Sequence, residues 1–118
     1  MVEFSVTTRQ GRVGPVIEVA GDLDMASAPT LRDRLLEVVE TGARTVVVDL
    51  TQVGFVDSSG LGALVLVYKN LRERDGWLGL AVVRQSIRNV FSITSVDRVI
   101  PLFGTVRDAE DGSPAAVR

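Results

Sequence analysis

The sequence contains no cysteine and no histidine, and Lys69 is its single lysine among 118 residues. Without cysteine there are no disulfides, thiolate nucleophiles or cysteine metal sites. Without histidine the commonest general base near neutral pH is missing, along with every Ser-His-Asp triad and the usual zinc ligand. Carboxylates, hydroxyls, one lysine and many arginines remain, a poor set for a conventional hydrolase, and a non-enzymatic role is expected. Long hydrophobic runs are also missing. The longest, Leu61 to Val67, falls far short of the ~20 residues that span a bilayer. Met1-Val2-Glu3-Phe4 carries an acid where a secretory leader has a basic stretch, so the expected location is cytoplasmic, with no membrane partner. Neither sign of charge dominates. The 13 Lys+Arg and 15 Asp+Glu leave a net charge of −2, with no general attraction to nucleic acid or anionic lipid.

What is present is enough for one buried core: 46% of residues are hydrophobic and 24% charged, in a chain of single-domain length. Val2 to Val6 alternates apolar and polar residues, as a half-wet strand does. Gln10 to Gly14 reads as a turn. Val16 to Ala20 then forms a second strand, hairpin-paired with the first and ended by Gly21, with Asp22-Leu23-Asp24 as its exit loop. Ser27 is the expected cap of a helix that tolerates Pro29 in its first turn. That helix carries Leu31, Leu35, Val38 and Val39 on one face and stops at Gly42. Val46 to Leu50 is β-branched and mostly apolar, which suits a central strand and completes a right-handed βαβ unit.

A second helix begins near Ser58 and ends before Gly76, with Leu61, Leu64, Val65, Tyr68 and Leu71 as its core stripe. Leu78 to Val83 is the next buried strand, and Ser86 caps a short helix bearing Ile87, Val90, Phe91 and Ile93. Val99 to Phe103 forms a last strand, which Pro101 confines to an edge. Thr105 to Asp111 adds a helical turn or two. The expectation is an α/β fold in one domain over residues 1–111: a small mixed sheet, helices mainly on one face, and an N-terminal strand at an edge. Residues 112–118 are expected to form a loose tail.

In a βαβ unit the loops after both parallel strands emerge at one end of the sheet. These loops bring Asp22, Asp24 and Asp57 together with Ser58 and Ser59. Asp and Ser are also the best turn and cap residues, so the grouping alone does not require a function. Phe55 and Val56 are large and apolar, which implies a packed loop. Gly60 and Gly62 each cost the helix ~1 kcal/mol relative to Ala. Two motives fit them equally: close approach by another backbone, or tight packing on this protein's own sheet.

Asp57-Ser58-Ser59-Gly60-Leu61-Gly62, preceded by Val47-Val48-Asp49-Leu50 and Phe55-Val56, resembles the phosphorylation segment of the STAS-domain anti-sigma factor antagonists. Gly21-Asp22-Leu23-Asp24 is similar to that family's Gly-Glu/Asp-Leu-Asp signature, and Ser86 to Phe91 to its short third helix. The likeness runs collinearly from about Phe4 to Phe103. It implies a STAS-like domain that binds an anti-sigma factor serine/threonine kinase when unphosphorylated and releases it when phosphorylated at Ser58. It further implies a metal-dependent serine phosphatase as the resetting partner. The implied binding residues are Asp22, Asp24, Asp57, Ser58, Ser59, Gly60, Leu61 and Gly62, with Ser59 capping or supporting the turn. No cofactor, metal or direct nucleic-acid contact is implied. Met25-Ala26 departs from the more polar residues of some relatives and leaves the partner's identity open.

Electrostatics favours an off-switch. Neither loop holds a Lys or Arg to neutralise the ~1.5–2 negative charges a phosphoryl group adds, so the charge acts on whatever docks there. A two-component receiver domain would use Asp49 as acceptor and Asp22 and Asp24 around Mg²⁺, but it needs a late-strand lysine that this chain lacks. An aspartate-based phosphatase lacks the same support, and Gly60-Leu61-Gly62 is short of the third glycine of a dinucleotide loop. A STAS scaffold subunit of a signalling or transport assembly, not phosphorylated at Ser58, is the remaining alternative.

Overall fold

The computed structural model describes residues 2–116. β1 (Ser5–Gln10) and β2 (Pro15–Leu23) pair antiparallel, with Ser5 opposite Ala20 and Gln10 opposite Pro15. The tight turn between them, closed by Gly11 N–H donating to the Gly14 carbonyl at 2.9 Å, fixes that register. Cross-strand polar pairs hold it: Arg9 meets Glu18 at 3.3 Å, and the Thr7 hydroxyl donates to the same carboxylate at 3.4 Å. β1 therefore lies later than the Val2 to Val6 alternation suggests, and Gln10 belongs to the strand.

β3 (Thr45–Val56) is the centre of a five-stranded sheet in the order β1-β2-β3-β4-β5, whose last two strands are β4 (Trp77–Ala81) and β5 (Leu102–Phe103). β2 to β5 run parallel, so the sheet is mixed and β1 occupies one edge, as expected. The parallel steps are bridged by α1 (Ala28–Glu40), α2 (Ser58–Arg72) and α3 (Gln85–Ile93), the last followed by a 3₁₀ turn over Val96–Arg98. α4 (Val106–Gly112) closes the described chain.

Side-chain alternation in β3 divides the core. Val46, Val48 and Leu50 point to the face covered by Leu31 and Leu35 of α1, Leu64 and Val67 of α2, and Ile87 and Phe91 of α3. Full burial of residues of this size contributes about 1.5–3 kcal/mol each, which is what holds a nine-residue helix such as α3 in place. Val47 points the other way and packs with Val16, Ala109, Trp77 and Phe103 beneath α4. Three helices thus cover one face and one short helix the other. α4 is tied to the β1–β2 turn by Glu110, 4% exposed, whose carboxylate accepts Arg12 N–H at 2.7 Å.

Several boundaries differ from the sequence expectation, each because tertiary pairing extends or trims a local signal. β2 continues through Gly21 to Leu23, and β3 continues through Thr51 to Val56 beside it. β4 stops at Ala81, and β5 spans only Leu102–Phe103 because Val96 to Ile100 winds into the 3₁₀ turn. Arg84, not Ser86, occupies the N-cap of α3. Gly112 is helical, and Ser113 is buried with its hydroxyl donating to the Glu110 carbonyl at 2.8 Å, so the packed domain reaches past residue 111. The remainder of the expected tail includes Val117 and Arg118, which lie outside the described residues.

Candidate functional site

The two segments expected to be loops are strand extensions paired with each other. Gly21, at φ +94°, makes the turn in β2 possible, because a Cβ there would meet Phe4 Cα at 2.8 Å. The register shift after it sets Asp22 opposite Phe55 and Leu23 opposite Val56. Asp57 N–H then donates to the Leu23 carbonyl at 3.1 Å, so the start of α2 is fastened to the end of β2. This junction is what brings the residues around Asp22–Asp24 and those around Ser58 to one edge.

Asp57 is the N-cap of α2. Its Oδ1 accepts the N–H groups of Ser59 at 2.8 Å and Gly60 at 3.2 Å, satisfying two donors the helix leaves open. Neither serine caps the helix. Ser58, its first residue, is exposed, whereas Ser59 is half-buried. Leu61 faces the core at 8% exposure. The glycines divide between the two motives. A Cβ on Gly60 would meet Leu23 Cγ at 2.7 Å, so this glycine serves packing on the protein's own sheet. A Cβ on Gly62 would meet nothing within 4 Å, and the residue is exposed.

Asp24 is committed to local structure. Its Oδ1 accepts Ala26 N–H at 2.9 Å and Ser27 N–H at 3.1 Å, and lies 3.2 Å from the Ser27 hydroxyl oxygen. Ser27 holds the N-cap position of α1 but makes no capping bond; its hydroxyl donates to the Asp22 carbonyl at 2.7 Å and accepts Asp24 N–H at 2.9 Å. The Asp22 side chain is exposed. The edge thus presents Asp22, the outer part of Asp24 and the Ser58 hydroxyl, with no cation among residues 54–60 or 21–27.

Sequence reasoning missed an apolar groove of about 360 Å³ beside Ser59 and Gly62, lined by Met25, Ala28, Ala63 and Leu66. Met25 is 77% and Leu66 47% exposed, so the groove presents apolar surface to solvent. The helical spacing of Gly62 and Leu66 carried the signal, but Leu66 sits between core positions and reads as part of the apolar run. Phe55, expected to be packed, is 49% exposed, while Val56 beneath it is buried. Arg32 also lines the groove, with its guanidinium held by Asp33 at 3.1 Å. Among the described residues no group of three acidic, His or Cys side chains is placed to hold a metal ion, and no helix is long and apolar enough to cross a membrane.

This arrangement has recognisable relatives. The chain is 30% identical over 101 residues to an anti-sigma-B factor antagonist of Bacillus subtilis, covering 86% of this chain and 92% of that one. It is 36% identical over 87 residues to a protein of the same name from Listeria monocytogenes, covering 73% and 75%. The crystal structure of an anti-sigma factor antagonist from Mycobacterium paratuberculosis superposes with a TM-score of 0.83 at 29% identity, covering 91% of each chain. The family model for the STAS domain matches residues 5–109, from β1 into α4, and so takes in every element that builds the edge around Ser58. The chain belongs to the STAS domain family.

Proposed function

We propose that the chain is an anti-sigma factor antagonist controlled by phosphorylation of Ser58. Unphosphorylated, it binds an anti-sigma factor serine kinase in the cytoplasm and so frees a sigma factor; phosphorylated, it lets the kinase go. The observation that carries this reading is the division of labour at the start of α2. Asp57 performs the capping, which leaves the exposed Ser58 hydroxyl with no structural duty. The open space beside Gly62 and the apolar groove at Leu66 give a partner room to approach it closely. The relatives described above are themselves anti-sigma factor antagonists, which supports the same assignment.

The chemistry belongs to the partner. The kinase's ATP would donate its terminal phosphoryl group to Ser58 Oγ, forming the O–P bond as the bond to ADP breaks. The hydroxyl proton would leave to a base on the kinase. The positive end of the α2 dipole favours the anion without any need for the domain to unfold. Asp22, Asp24 and Asp57 repel it, and neither segment that builds this edge, residues 21–27 and 54–60, holds a cation. The new charge therefore finds no cation within those two segments and penalises any surface packed over it. A metal-dependent serine phosphatase would remove the group; its metal belongs to the phosphatase. The chain itself acts as ligand and substrate rather than as an enzyme.

Incubation with the cognate kinase and ATP, followed by peptide mass mapping, tests the reading. A single phosphoryl group on Ser58 supports it. Stable association with no phosphoryl transfer would favour the unphosphorylated scaffold instead.

A further inference from the structure

α3 carries two arginines where local energetics argues against them. Arg84 is its N-cap residue and Arg88 lies one turn further, with Arg88 N–H donating to the Arg84 carbonyl at 3.0 Å. Residues four apart share a helix face, so the two cations repel each other. Both also sit at the helix end whose dipole disfavours positive charge. Nothing internal offsets this. The first turn of α3 contains no acid, and neither arginine forms an ion pair among the described residues. Burial of Ile87 and Phe91, three positions along from Arg84 and Arg88, is what places α3; Arg84 is exposed and Arg88 half-buried beside them. The arginines are therefore not required to place the helix. Departures from local rules without an internal gain concentrate at functional surfaces.

Topology says which surface. β3 and β4 are parallel neighbours, so α2 and α3 both start from the same end of the sheet. Ser58 opens α2, Arg84 caps α3, and Val83, immediately before it, is 60% exposed. On the far side of Ser58, the end of β2 carries Asp22 and Asp24. In sheet order this end of the domain is thus acidic after β2 and basic after β4, with Ser58, which follows β3, between them. An interface of standard size takes about 800 Å² from each partner, a patch roughly 30 Å across, which is wide enough for one partner to cover both halves.

We propose that Arg84 and Arg88 form the second half of the partner-binding surface and receive an acidic segment of the same anti-sigma factor kinase that engages Ser58. This rests on the function proposed above and adds the charge pattern of the partner: basic opposite Asp22, acidic opposite α3. The mixed charge of the edge is what favours a protein occupant over a nucleic acid, whose uniform negative charge would be repelled by Asp22, Asp24 and Asp57. Charges placed this way act mainly on the rate of encounter.

The test compares the intact chain with the double variant Arg84→Glu/Arg88→Glu, using purified kinase with ADP and measuring association rates from low to high salt. Arg107→Glu, at an exposed position of α4 across the sheet, shifts net charge by −2 against −4 for the double variant and so controls for half of that change. The double variant is expected to melt at the same temperature as the parent or higher, because acids suit a helix N-terminus. Its association rate should fall at least tenfold at low salt, and the difference should shrink as salt rises. Arg107→Glu should change the rate less than twofold. Unchanged association by the double variant overturns the proposal and leaves the Ser58 switch standing. Failure of the parent chain to bind the kinase at all removes both. Binding of a duplex DNA or RNA probe by the parent, lost in the double variant, would reassign the surface and likewise overturn it.

Discussion

Gly60 and Leu23 are in contact so close that a Cβ on the glycine would stand 2.7 Å from Leu23 Cγ and 2.9 Å from the Leu23 carbonyl oxygen. The first turn of α2 therefore rests directly on the end of β2, and Ser58 is held on a rigid corner. Gly62, half a turn on, has no such neighbour. Gly60→Ala is expected to destabilise the domain by about 1–3 kcal/mol, since overpacking outweighs the better helix propensity of Ala. Gly62→Ala should be neutral or stabilising by up to ~1 kcal/mol, yet should weaken partner binding by filling open space. Urea unfolding of both variants checks the contrast, and equal losses would remove the distinction between the two glycines.

Asp57 carries the cap and Ser59 does not. Asp57→Ala should cost about 1 kcal/mol of stability and Asp57→Asn distinctly less, because Asn caps nearly as well. Ser59→Ala should stay within about 0.5 kcal/mol of the parent and still accept a phosphoryl group on Ser58. A larger loss in Ser59→Ala than in Asp57→Ala, read by thermal unfolding, would contradict the hydrogen bonds at this helix start.

The two aspartates at the end of β2 separate structure from recognition. Asp24→Ala breaks the hydrogen bonds from the Ala26 and Ser27 N–H groups, so a loss of about 1–2 kcal/mol is expected alongside any loss of binding. Asp22→Ala removes an exposed carboxylate and should leave stability within about 0.5 kcal/mol. Weaker kinase binding by Asp22→Ala at unchanged melting temperature would place Asp22 in the interface. Undiminished binding would confine it to the strand.

How far the sequence spoke for itself depended on whether a signal was local. Leu31, Leu35, Val38 and Val39 marked α1, and Gly42, at φ +104°, marked its end, because helix periodicity and a left-handed stop need no distant partner. The extension of β3 was hidden. Thr51-Gln52-Val53-Gly54 has the composition of a turn and becomes strand only because β2, bent at Gly21, continues beside it. The α3 cap was misplaced for a related reason: Ser86 is the better capping residue, but burial of Ile87 and Phe91 starts the helix two residues earlier, with Arg84 at the cap. α4 showed only as a helical turn or two, and its place on the second sheet face depends on Val47, Trp77 and Phe103, which lie far apart in the chain. At the site, Asp57, Ser58 and Gly60 were legible as a motif. The groove at Met25 and Leu66 was not, since it exists only where α1 and α2 meet.

The isolated chain should show no turnover of simple phosphate or acyl esters, given the absence of His and Cys from its sequence. Hydrolysis that survived repurification and vanished in Ser58→Ala would contradict the assignment of Ser58 as a phosphoryl acceptor for a kinase rather than the nucleophile of a hydrolase.

Kinase binding before and after phosphorylation tests the central claim most directly. The affinity of the purified chain for the kinase with ADP would be measured for the unphosphorylated form, the form phosphorylated at Ser58, Ser58→Ala and Ser58→Asp. Losing a charge-compatible contact in a buried interface costs ~2–5 kcal/mol, so phosphorylation should weaken binding by roughly 30-fold or more. Ser58→Ala should bind like the unphosphorylated parent and take up no phosphate. Ser58→Asp should fall between, since it carries one negative charge and fewer acceptor oxygens. Equal affinities for the phosphorylated and unphosphorylated chains, or phosphate mapped to Ser59, would contradict the account.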